Sequence, residues 1–453
     1  MYLGSSPWGL QMRQPYSATA TPPGQPPASY AWYVVGVLVL ATILSYTDRQ
    51  ILSLLVDPMR RDLQISDTQM GLLMGTAFAL VYGIAGVPLG WLADRTCRRN
   101  LIVTGIALWS IGTVCCGLAL NFTQFFSARL LVGIGEAVLT PASISVIGDC
   151  FPERTRGKAT SVFLMGVAMG GGGAILFGGL ILRLVEAGFL HGTVLDHTSA
   201  WRAVLLLLGI LGVIPAALVA MLREPARQQG SPQAQHATGP LIARDWIRLI
   251  PLFMALATES LVDNAILAWT PSVLVRGFGL SAGFVGPLLG TLLMLGGGAG
   301  MLAGGLLSDG ARLRKPGGRI PVALVAAIVT LPVTALITNS HLPGVLVGVT
   351  LYVLLACISE SAGTLALLDS VPNRRRGLVT AMSFFLNVAF GAGIGPAAVG
   401  WVADHFSLSG RALGGAILAV AGPGFVVVTV LFSLSLQLAI RSARSGAVAA
   451  VNS

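Results

Sequence analysis

The chain has 453 residues, of which 54% are hydrophobic and only 10% charged, and its mean hydropathy is +0.80. Soluble domains carry about 25% charged residues, so this composition excludes a soluble globular protein and indicates a polytopic membrane protein. The net charge of +10 does not indicate nucleic-acid binding, because the basic residues lie in short loops between apolar segments, where they set membrane topology.

Taken in order, the chain opens with a polar segment, 1–31, rich in Pro, Gly, Ser and Gln, which predicts a disordered cytosolic tail. Twelve apolar segments of about 20 residues follow, each long enough to span a bilayer. Their predicted cores are 32–56, 69–92, 101–120, 123–148, 158–183, 201–222, 246–275, 282–307, 320–338, 343–368, 378–403 and 412–439. The polar segment 223–244 predicts a cytosolic linker, and 441–453 predicts a second cytosolic tail.

An internal repeat relates the two halves of the chain. Pro152 and Pro372 stand 220 residues apart, as do Gly157 and Gly377, each in the loop after the fourth span of its half. This spacing predicts an all-α membrane protein of twelve transmembrane helices, arranged as two pseudo-symmetric six-helix halves at 32–222 and 245–440.

The distribution of basic residues predicts the orientation. With the N-terminus in the cytosol, 19 Lys and Arg fall in cytosolic loops and the C-terminal tail, and six fall in external loops. By the positive-inside rule this predicts a multi-pass protein of the inner or plasma membrane with both termini cytosolic. The cysteines form no C-x-x-C pair, and we expect five reduced thiols: Cys97, Cys115, Cys116, Cys150 and Cys357.

Charged residues inside two of the spans are the strongest functional signal. A charged side chain within a membrane helix costs about 2.5 to 3.5 kcal/mol on insertion scales and is typical of ligand sites, proton relays and water-filled cavities. The first span contains Asp48 and Arg49, and the fourth contains Arg129 and Glu136, seven residues apart on one helix face. We expect Arg129 to pair with Asp48 and Arg49 with Glu136. The structural alternative is two ion pairs that only tie the helices together.

The second half carries acids of its own. Glu259 and Asp263 lie four residues apart on one face of the seventh span, and Glu360 lies in the tenth. We expect Glu259 and Asp263 to line the same cavity from the other side and to contribute to substrate binding.

The loop after the second span has the pattern G-x-L-a-D-r-x-x-r-r and resembles the signature loop of the major facilitator superfamily. A weaker copy follows the eighth span and contains Asp309. Asp94 is positioned to accept hydrogen bonds from helix N-termini and from arginines, and so to hold the cytosolic side shut. The alternative is that the arginines only set topology. The predicted cytosolic gate consists of Gly90, Asp94, Arg95, Arg98, Arg99, Arg156 and Asp309.

Two further motifs resemble the spinster family of that superfamily. The segment 45–49, S-Y-T-D-R, is similar to the family's N-Y-x-D-R, with Ser45 in place of the usual Asn. The segment 129–137 is similar to its R-x-x-V-G-x-G-E-A. The resemblance implies export of lysolipids and sphingoid phosphates, with the matching Asp, Arg and Glu positions binding the polar head or linking transport to protons.

These observations predict a secondary transporter. The sequence has no phosphate loop, H-E-x-x-H or nucleophile elbow, so we expect no enzyme, no cofactor and no metal. We expect a monomer that moves an amphipathic, lysolipid-like anion by alternating access, linked to protons. Arg49, Arg129 and Tyr46 would bind the head group while Asp48 and Glu136 exchange protons. The alternatives are a small organic anion or drug carrier of the same fold, and a non-transporting receptor-like protein.

Overall fold

The computed structural model describes residues 26–193, 197–227, 243–312, 317–338, 340–372, 375–406 and 412–451. In these ranges the regular secondary structure is helical, and we number the spans α1 to α12. The first six are Ala28–Leu63 (α1), the consecutive segments Asp67–Gly71, Leu72–Thr76 and Ala77–Ala93 (α2), Arg98–Leu118 (α3), Phe122–Cys150 (α4), Glu153–Glu186 (α5) and Ala200–Ala220 (α6). The last six are Ala243–Phe278 (α7), Ala282–Arg312 (α8), Ile320–Thr338 (α9), Leu342–Asp369 (α10), Arg376–His405 (α11) and Ala412–Val451 (α12).

The twelve predicted spans are confirmed. Within the described ranges, eleven helices are long and apolar enough to cross a bilayer, and α5 makes a twelfth if its two parts, which meet at an angle of 43°, count as one span. The first helix starts four residues inside the predicted tail and ends at Leu63, seven residues beyond the predicted core. Its last turns were missed because they carry charged residues on one side, which lowers their mean hydropathy. Residues 1–25, 228–242 and 452–453 of the predicted tails and linker lie outside the described residues.

Local signals explain several helix starts. Ser66 precedes α2 and accepts a hydrogen bond from the backbone of Gln69, whose side chain accepts one in return from the backbone of Ser66. Asn121 caps α4 in a similar way through the backbone N–H of Gln124. These caps satisfy backbone donors that an apolar environment would otherwise leave unpaired.

The two halves meet along glycine-lined helix faces. A Cβ atom on Gly172 of α5 would lie 2.7 Å from the backbone N of Met294 in α8, and one on Gly290 would lie 2.7 Å from the carbonyl oxygen of Gly172. Only small residues permit helices to approach this closely. These glycines thus allow α5 of the first half to pack closely against α8 of the second.

A second contact joins α2 of the first half to α11 of the second. Each of these helices contains one π-helical turn, at Leu72–Thr76 and Asn387–Ala392. The two turns lie against each other, and the Thr76 hydroxyl donates a 2.5 Å hydrogen bond to the carbonyl of Gly393. Such turns break the regular helix ladder and are frequent at functional sites.

Candidate functional site

The four charged residues of α1 and α4 form two ion pairs in the middle of the bundle. Arg129 Nη1 lies 3.2 Å from Asp48 Oδ2, and the two side chains are 1% and 4% exposed. Arg49 Nη2 lies 2.6 Å from Glu136 Oε2, with exposures of 18% and 0%. The predicted pairing is confirmed. Asp48 lies 20 residues after the first residue of α1 and 15 before its last, near the centre of the helix.

Glycines position the acid on α4. Gly133 faces α2, where a Cβ would lie 3.1 Å from the carbonyl oxygen of Phe78. Gly135 faces α3, where a Cβ would lie 2.6 Å from the carbonyl oxygen of Gly105. With these two faces packed tightly, Glu136 is directed toward α1. The V-G-x-G-E pattern thus has a steric explanation in addition to its resemblance to a family motif.

Neither ion pair uses all of its hydrogen-bonding groups. Asp48 Oδ1, Glu136 Oε1, the Nε atoms of Arg49 and Arg129, and Arg129 Nη2 are buried and make no hydrogen bond to any other described residue. A buried polar atom left unpaired costs about 1 to 3 kcal/mol, more when it is charged. Buried ion pairs are also weak stabilisers on balance. The arrangement is thus costly for stability alone, and it leaves donors and acceptors that a ligand or a proton can use.

Arg49 is the accessible member of the four. Its guanidinium carbon lies 4.0 Å from the ring centre of Phe78, 4.9 Å from that of Tyr46 and 5.5 Å from that of Tyr82. Aromatic faces attract a cation by about 0.5 to 2 kcal/mol. The rings therefore help to hold the guanidinium beside its carboxylate partner, and Tyr46 lies where the sequence predicts it to line the site.

The acids of the second half lie together without a basic partner among the described residues. The Tyr352 hydroxyl of α10 donates a short hydrogen bond to Asp263 on α7. Glu259 is fully buried, and the Ser359 hydroxyl of α10 faces its carboxylate while donating a 3.2 Å hydrogen bond to the carbonyl of Ala323. Glu360 is close enough to Glu259, Asp263 and Tyr46 to interact electrostatically with each of them. The expectation that these acids face the same region as α1 is thus supported through Tyr46.

Arg98 and Arg99 of the signature loop contact residues at the end of α4 and after α6. Arg98 is 1% exposed and pairs with Asp149 at the end of α4 and with Glu224 after α6, the latter at 2.8 Å. Glu224 also accepts hydrogen bonds from the backbone N–H groups of Arg98 and Arg99, and so caps α3. These contacts lie within the first half and the start of the linker that follows it. They hold α3, the end of α4 and the residues after α6 together and do not bridge the halves.

Asp94 has an exposed side chain that makes no hydrogen bond or ion pair within the described part of the chain. Arg95 stacks on the ring of Trp91 at 3.8 Å, and Gly90 lies in open space. Arg156 Nε is buried without a hydrogen-bond partner among the described residues. The predicted contact between Asp94 and Arg156 is not formed in this conformation, and the latch role of Asp94 remains a prediction.

The second half repeats the arginine cluster of the first. Arg319, at the start of α9, lies 3.0 Å from Asp369 at the end of α10 and 3.0 Å from Asp309. Arg98 and Asp149 occupy the equivalent places 221 and 220 residues earlier. Asp309 was predicted from the sequence as part of the gate, whereas Arg319 and Asp369 were not. The repeat spacing was the signal that would have found them.

A cluster at the opposite end of the bundle joins the halves, and sequence reasoning missed it. Arg276 of α7 donates from Nε to Asp57 of α1 at 2.6 Å and binds Asp67 of α2 with both terminal nitrogens at 2.9 and 2.8 Å. Asp404 of α11 accepts from the backbone N–H groups of Asp67 and Thr68 at 3.1 and 2.8 Å. In the sequence Arg276 is one of the six basic residues of the predicted external loops, and its position does not stand out because charged residues at span ends are common.

Comparison with known proteins places this site in a family context. The chain is 29% identical over 405 residues to an MFS-type efflux pump of Mycolicibacterium smegmatis, covering 86% of this chain and 88% of the pump. It is 29% identical to a probable L-galactonate transporter of Escherichia coli, covering 60% of each chain. It is 25% identical to the Drosophila melanogaster protein spinster, covering 82% of this chain and 62% of that protein.

A solved structure has the same fold. The crystal structure of a bacterial homologue of the human lysosomal transporter spinster, in an inward-facing and unoccupied conformation, superposes with a TM-score of 0.77 at 23% identity. The superposition covers 92% of this chain and 98% of that one. The family model of the Major Facilitator Superfamily matches residues 38–396, which include both central ion pairs and the acids of the second half. The chain therefore belongs to the Major Facilitator Superfamily of membrane transporters, and it resembles the spinster proteins within it.

Proposed function

We propose that this protein is a secondary active transporter of an amphipathic, anionic, lysolipid-like substrate, and that transport is linked to protons. The observation that carries the proposal is the pair of buried ion pairs between α1 and α4, with their unused donors and acceptors. Arg49 and Arg129 would hold the anionic head group. Protonation of Asp48 or Glu136 removes the charge that pairs with each arginine, and so frees that arginine for the substrate.

The conformation supports alternating access. The hydrogen bonds and ion pairs that join the halves, as far as the described residues show them, lie at the end that carries Asp57 and Arg276 or at the α2–α11 contact. The positive-inside count assigns that end to the external side. The structure would then be closed outside and open toward the cytosol, with both termini cytosolic.

An apolar groove supports an amphipathic substrate. It lies between α2 and α4, has a volume of about 610 Å³ and opens sideways past the exposed side chains of Leu80 and Ile84. Ala85 and Leu89 line this groove and pack on the other side against Phe78 and Tyr82, two of the rings around Arg49. An acyl chain could therefore lie in the groove, close to a head group bound at Arg49.

Flux in liposomes tests the proposal. We expect the purified protein to move lysophosphatidylglycerol, and an imposed pH gradient to change the rate. Replacing Arg49 or Arg129 with Ala should weaken binding of this lipid by roughly tenfold or more, since a charged hydrogen bond is worth about 1.5 to 3 kcal/mol. Arg61→Ala, which removes an exposed arginine, is the matched control. Folded arginine variants that bind like the wild type would rule out the head-group role.

A small organic anion carrier is the second candidate, favoured by the similarity to the probable L-galactonate transporter. Galactonate in the same liposome assay separates the two. Transport of galactonate without transport of the lysolipid would assign the protein to the second class. The proton link is tested with the double variant Asp48→Asn, Glu136→Gln, in which the response of transport to the pH gradient should disappear.

A further inference from the structure

A threonine of α3 adds a third side chain to the pair of Asp48 and Arg129. Thr113 is 2% exposed, and its hydroxyl faces the Asp48 carboxylate. Gly112 beside it lets α3 approach α4, since a Cβ there would lie 3.1 Å from the carbonyl oxygen of Ala128, the residue before Arg129. The packing of α3 against α4 thus holds this hydroxyl beside the ion pair, although neither sequence motif of the site includes it.

The hydroxyl of Thr113 already uses its only hydrogen. It donates to the backbone carbonyl of Trp109, one turn back in α3, at 3.0 Å. Because a hydroxyl has one donor and two acceptor positions, in this arrangement it offers Asp48 a lone pair and no hydrogen. On the carboxylate itself, Oδ2 accepts from Arg129 at 3.2 Å, whereas Oδ1 is buried and makes no hydrogen bond to any other described residue.

This arrangement suits a protonated Asp48. A proton on Oδ1 turns the carboxyl group into a donor, and the Thr113 oxygen is the acceptor that faces it. When Asp48 is ionised, the hydroxyl can turn its hydrogen from the Trp109 carbonyl to the carboxylate, because a hydroxyl hydrogen rotates to suit its partner. Thr113 can therefore pair with Asp48 in both protonation states, and a buried carboxyl group left unpaired would destabilise either state.

The titratable groups that lie near Asp48 are less suited to this role. They are Arg129 and Glu136 from α4 and Cys116 from α3. Arginine has no acceptor, and the sulfur of a thiol is a weak one. Glu136 is already paired with Arg49 at 2.6 Å. The threonine hydroxyl is thus the neutral partner available to the protonated acid among the described residues.

The same arrangement recurs at a buried acid of the second half. The Ser359 hydroxyl faces Glu259 and donates its hydrogen to the carbonyl of Ala323 at 3.2 Å. Other buried hydroxyls serve the backbone alone. Thr330 of α9 is 0% exposed, donates to the carbonyl of Ala326 at 2.7 Å, and makes no hydrogen bond to a side chain in the described ranges. Facing an acid is therefore a property of particular hydroxyls and not of buried threonines in general.

We propose that Thr113 is a positioning residue for proton exchange at Asp48. Its hydroxyl accepts a hydrogen bond from the protonated acid and donates one to the ionised acid, so the carboxyl group keeps its orientation toward Arg129 in both states. This inference rests on the proposed function, in which Asp48 exchanges protons, and it adds a residue of α3 to a site otherwise built from α1 and α4.

Infrared difference spectra of the purified protein between acidic and alkaline pH test this role. A protonated carboxylic acid has a carbonyl stretching band that the ionised form lacks, and the part of this band lost in Asp48→Asn belongs to Asp48. Thr113→Val removes the hydroxyl and keeps the branched side chain. The Asp48 band should then move to higher frequency, as expected of an acid that has lost its hydrogen-bond acceptor. Thr113→Ser, which keeps the hydroxyl, should restore the wild-type frequency.

Thr330→Val is the matched control, because it removes a buried threonine hydroxyl that bonds only to the backbone, and it should leave the Asp48 band unchanged. Should Thr113→Val fail to fold, Thr113→Ala gives the same comparison. An Asp48 band at the wild-type frequency in the variant without the hydroxyl overturns the inference. A difference spectrum without any Asp48 band overturns it too, since Asp48 would then exchange no proton.

Flux in liposomes decides on the proposed function separately. A band that shifts with the loss of the Thr113 hydroxyl, in a protein that moves no lysophosphatidylglycerol, would support the positioning role and reject the lysolipid substrate. Transport of the lipid with an Asp48 band that ignores Thr113 would keep the proposed function and reject the positioning role.

Discussion

Replacing Arg276 with Ala should open the end of the bundle that the proposed topology places outside. The side chain makes three charged hydrogen bonds from α7 to Asp57 and Asp67, at 2.6, 2.9 and 2.8 Å, and all three cross between the halves. When the external ends separate, these bonds must break. These bonds stabilise only the state that is closed at this end. Removing them destabilises that state and so shifts the population toward the outward-open state.

The free energy that the Arg276 cluster contributes to the closed state depends on how far its side chains are exposed to solvent. The side chains of Arg276, Asp57 and Asp67 are 23%, 15% and 9% exposed, so solvent screens the cluster only in part. A charged hydrogen bond is worth about 1.5 to 3 kcal/mol when buried, but exposed pairs contribute about 0.2 to 1 kcal/mol. For the cluster as a whole we expect about 1 to 3 kcal/mol. That corresponds to a shift of roughly 5- to 150-fold in the ratio of inward-facing to outward-facing molecules.

Distances between spin labels at the external ends of the two halves measure this shift. Leu120 and Ser340 are exposed and lie in loops of different halves that the proposed topology places outside, so a cysteine at each can carry a label once the five native cysteines are replaced. The Arg276→Ala variant should gain a population at longer distance. Arg61→Ala, an exposed arginine at the same end, should leave the distribution unchanged. A wild-type distribution in Arg276→Ala would refute a latch at this cluster.

Three further predictions concern other parts of the chain. Asp94→Asn should move the distance distribution at the cytosolic ends toward the open state, and an unchanged distribution would remove Asp94 from the gate. Gly135→Ala should destabilise the protein by about 1 to 3 kcal/mol, because the added Cβ would lie 2.6 Å from the carbonyl oxygen of Gly105. Gly86→Ala, with nothing within 4 Å of the added atom, is its control in thermal unfolding. Glu224→Gln should lower the unfolding temperature more at pH 7 than at pH 3.5. Burial raises the pKa of Glu224, but hydrogen bonds from the backbone and side chains that face it outweigh burial, so the pKa lies below its ordinary value of 4.5. A carboxylate with a lowered folded-state pKa contributes fully to folding stability above its unfolded-state pKa, and this contribution is lost as the pH falls through the folded-state pKa. An equal change in unfolding temperature at both pH values would contradict this role of Glu224.

The spans and the central ion pairs could be predicted from the sequence because each depends on a rare pattern. Twenty apolar residues in succession have few explanations other than a membrane span. Charges inside such a span must find partners, and the seven-residue spacing of Arg129 and Glu136 placed them on one face. With two acids and two arginines on two helices, only two pairings were possible. The structure confirms both the spans and the pairing.

The contacts at the two ends of the bundle could not be predicted in the same way. Asp57, Asp67 and Arg276 lie at helix ends, where charged residues are usual and water is an adequate partner. The sequence does not state that α1, α2 and α7 converge there. The same reason applies to Arg98, whose partners are Asp149 and Glu224. A basic residue in a loop has many possible partners, and only the tertiary structure selects among them.

The contacts that close one end of a transporter in one conformation must be balanced by contacts that close the other end in the second conformation. Alternating access requires two conformations of similar free energy, since a difference much above 3 kcal/mol would leave one of them almost unpopulated. If the Arg276 cluster favours the externally closed state by about 1 to 3 kcal/mol, contacts of comparable worth must form at the cytosolic end when that side closes. Asp94 is exposed and Arg156 has an unpaired buried nitrogen in the present state. These two groups have the unused hydrogen-bonding capacity that such a balance requires. Because the loss of Arg276 and the loss of Asp94 would destabilise opposite states, a variant lacking both should return toward the wild-type ratio of the two states.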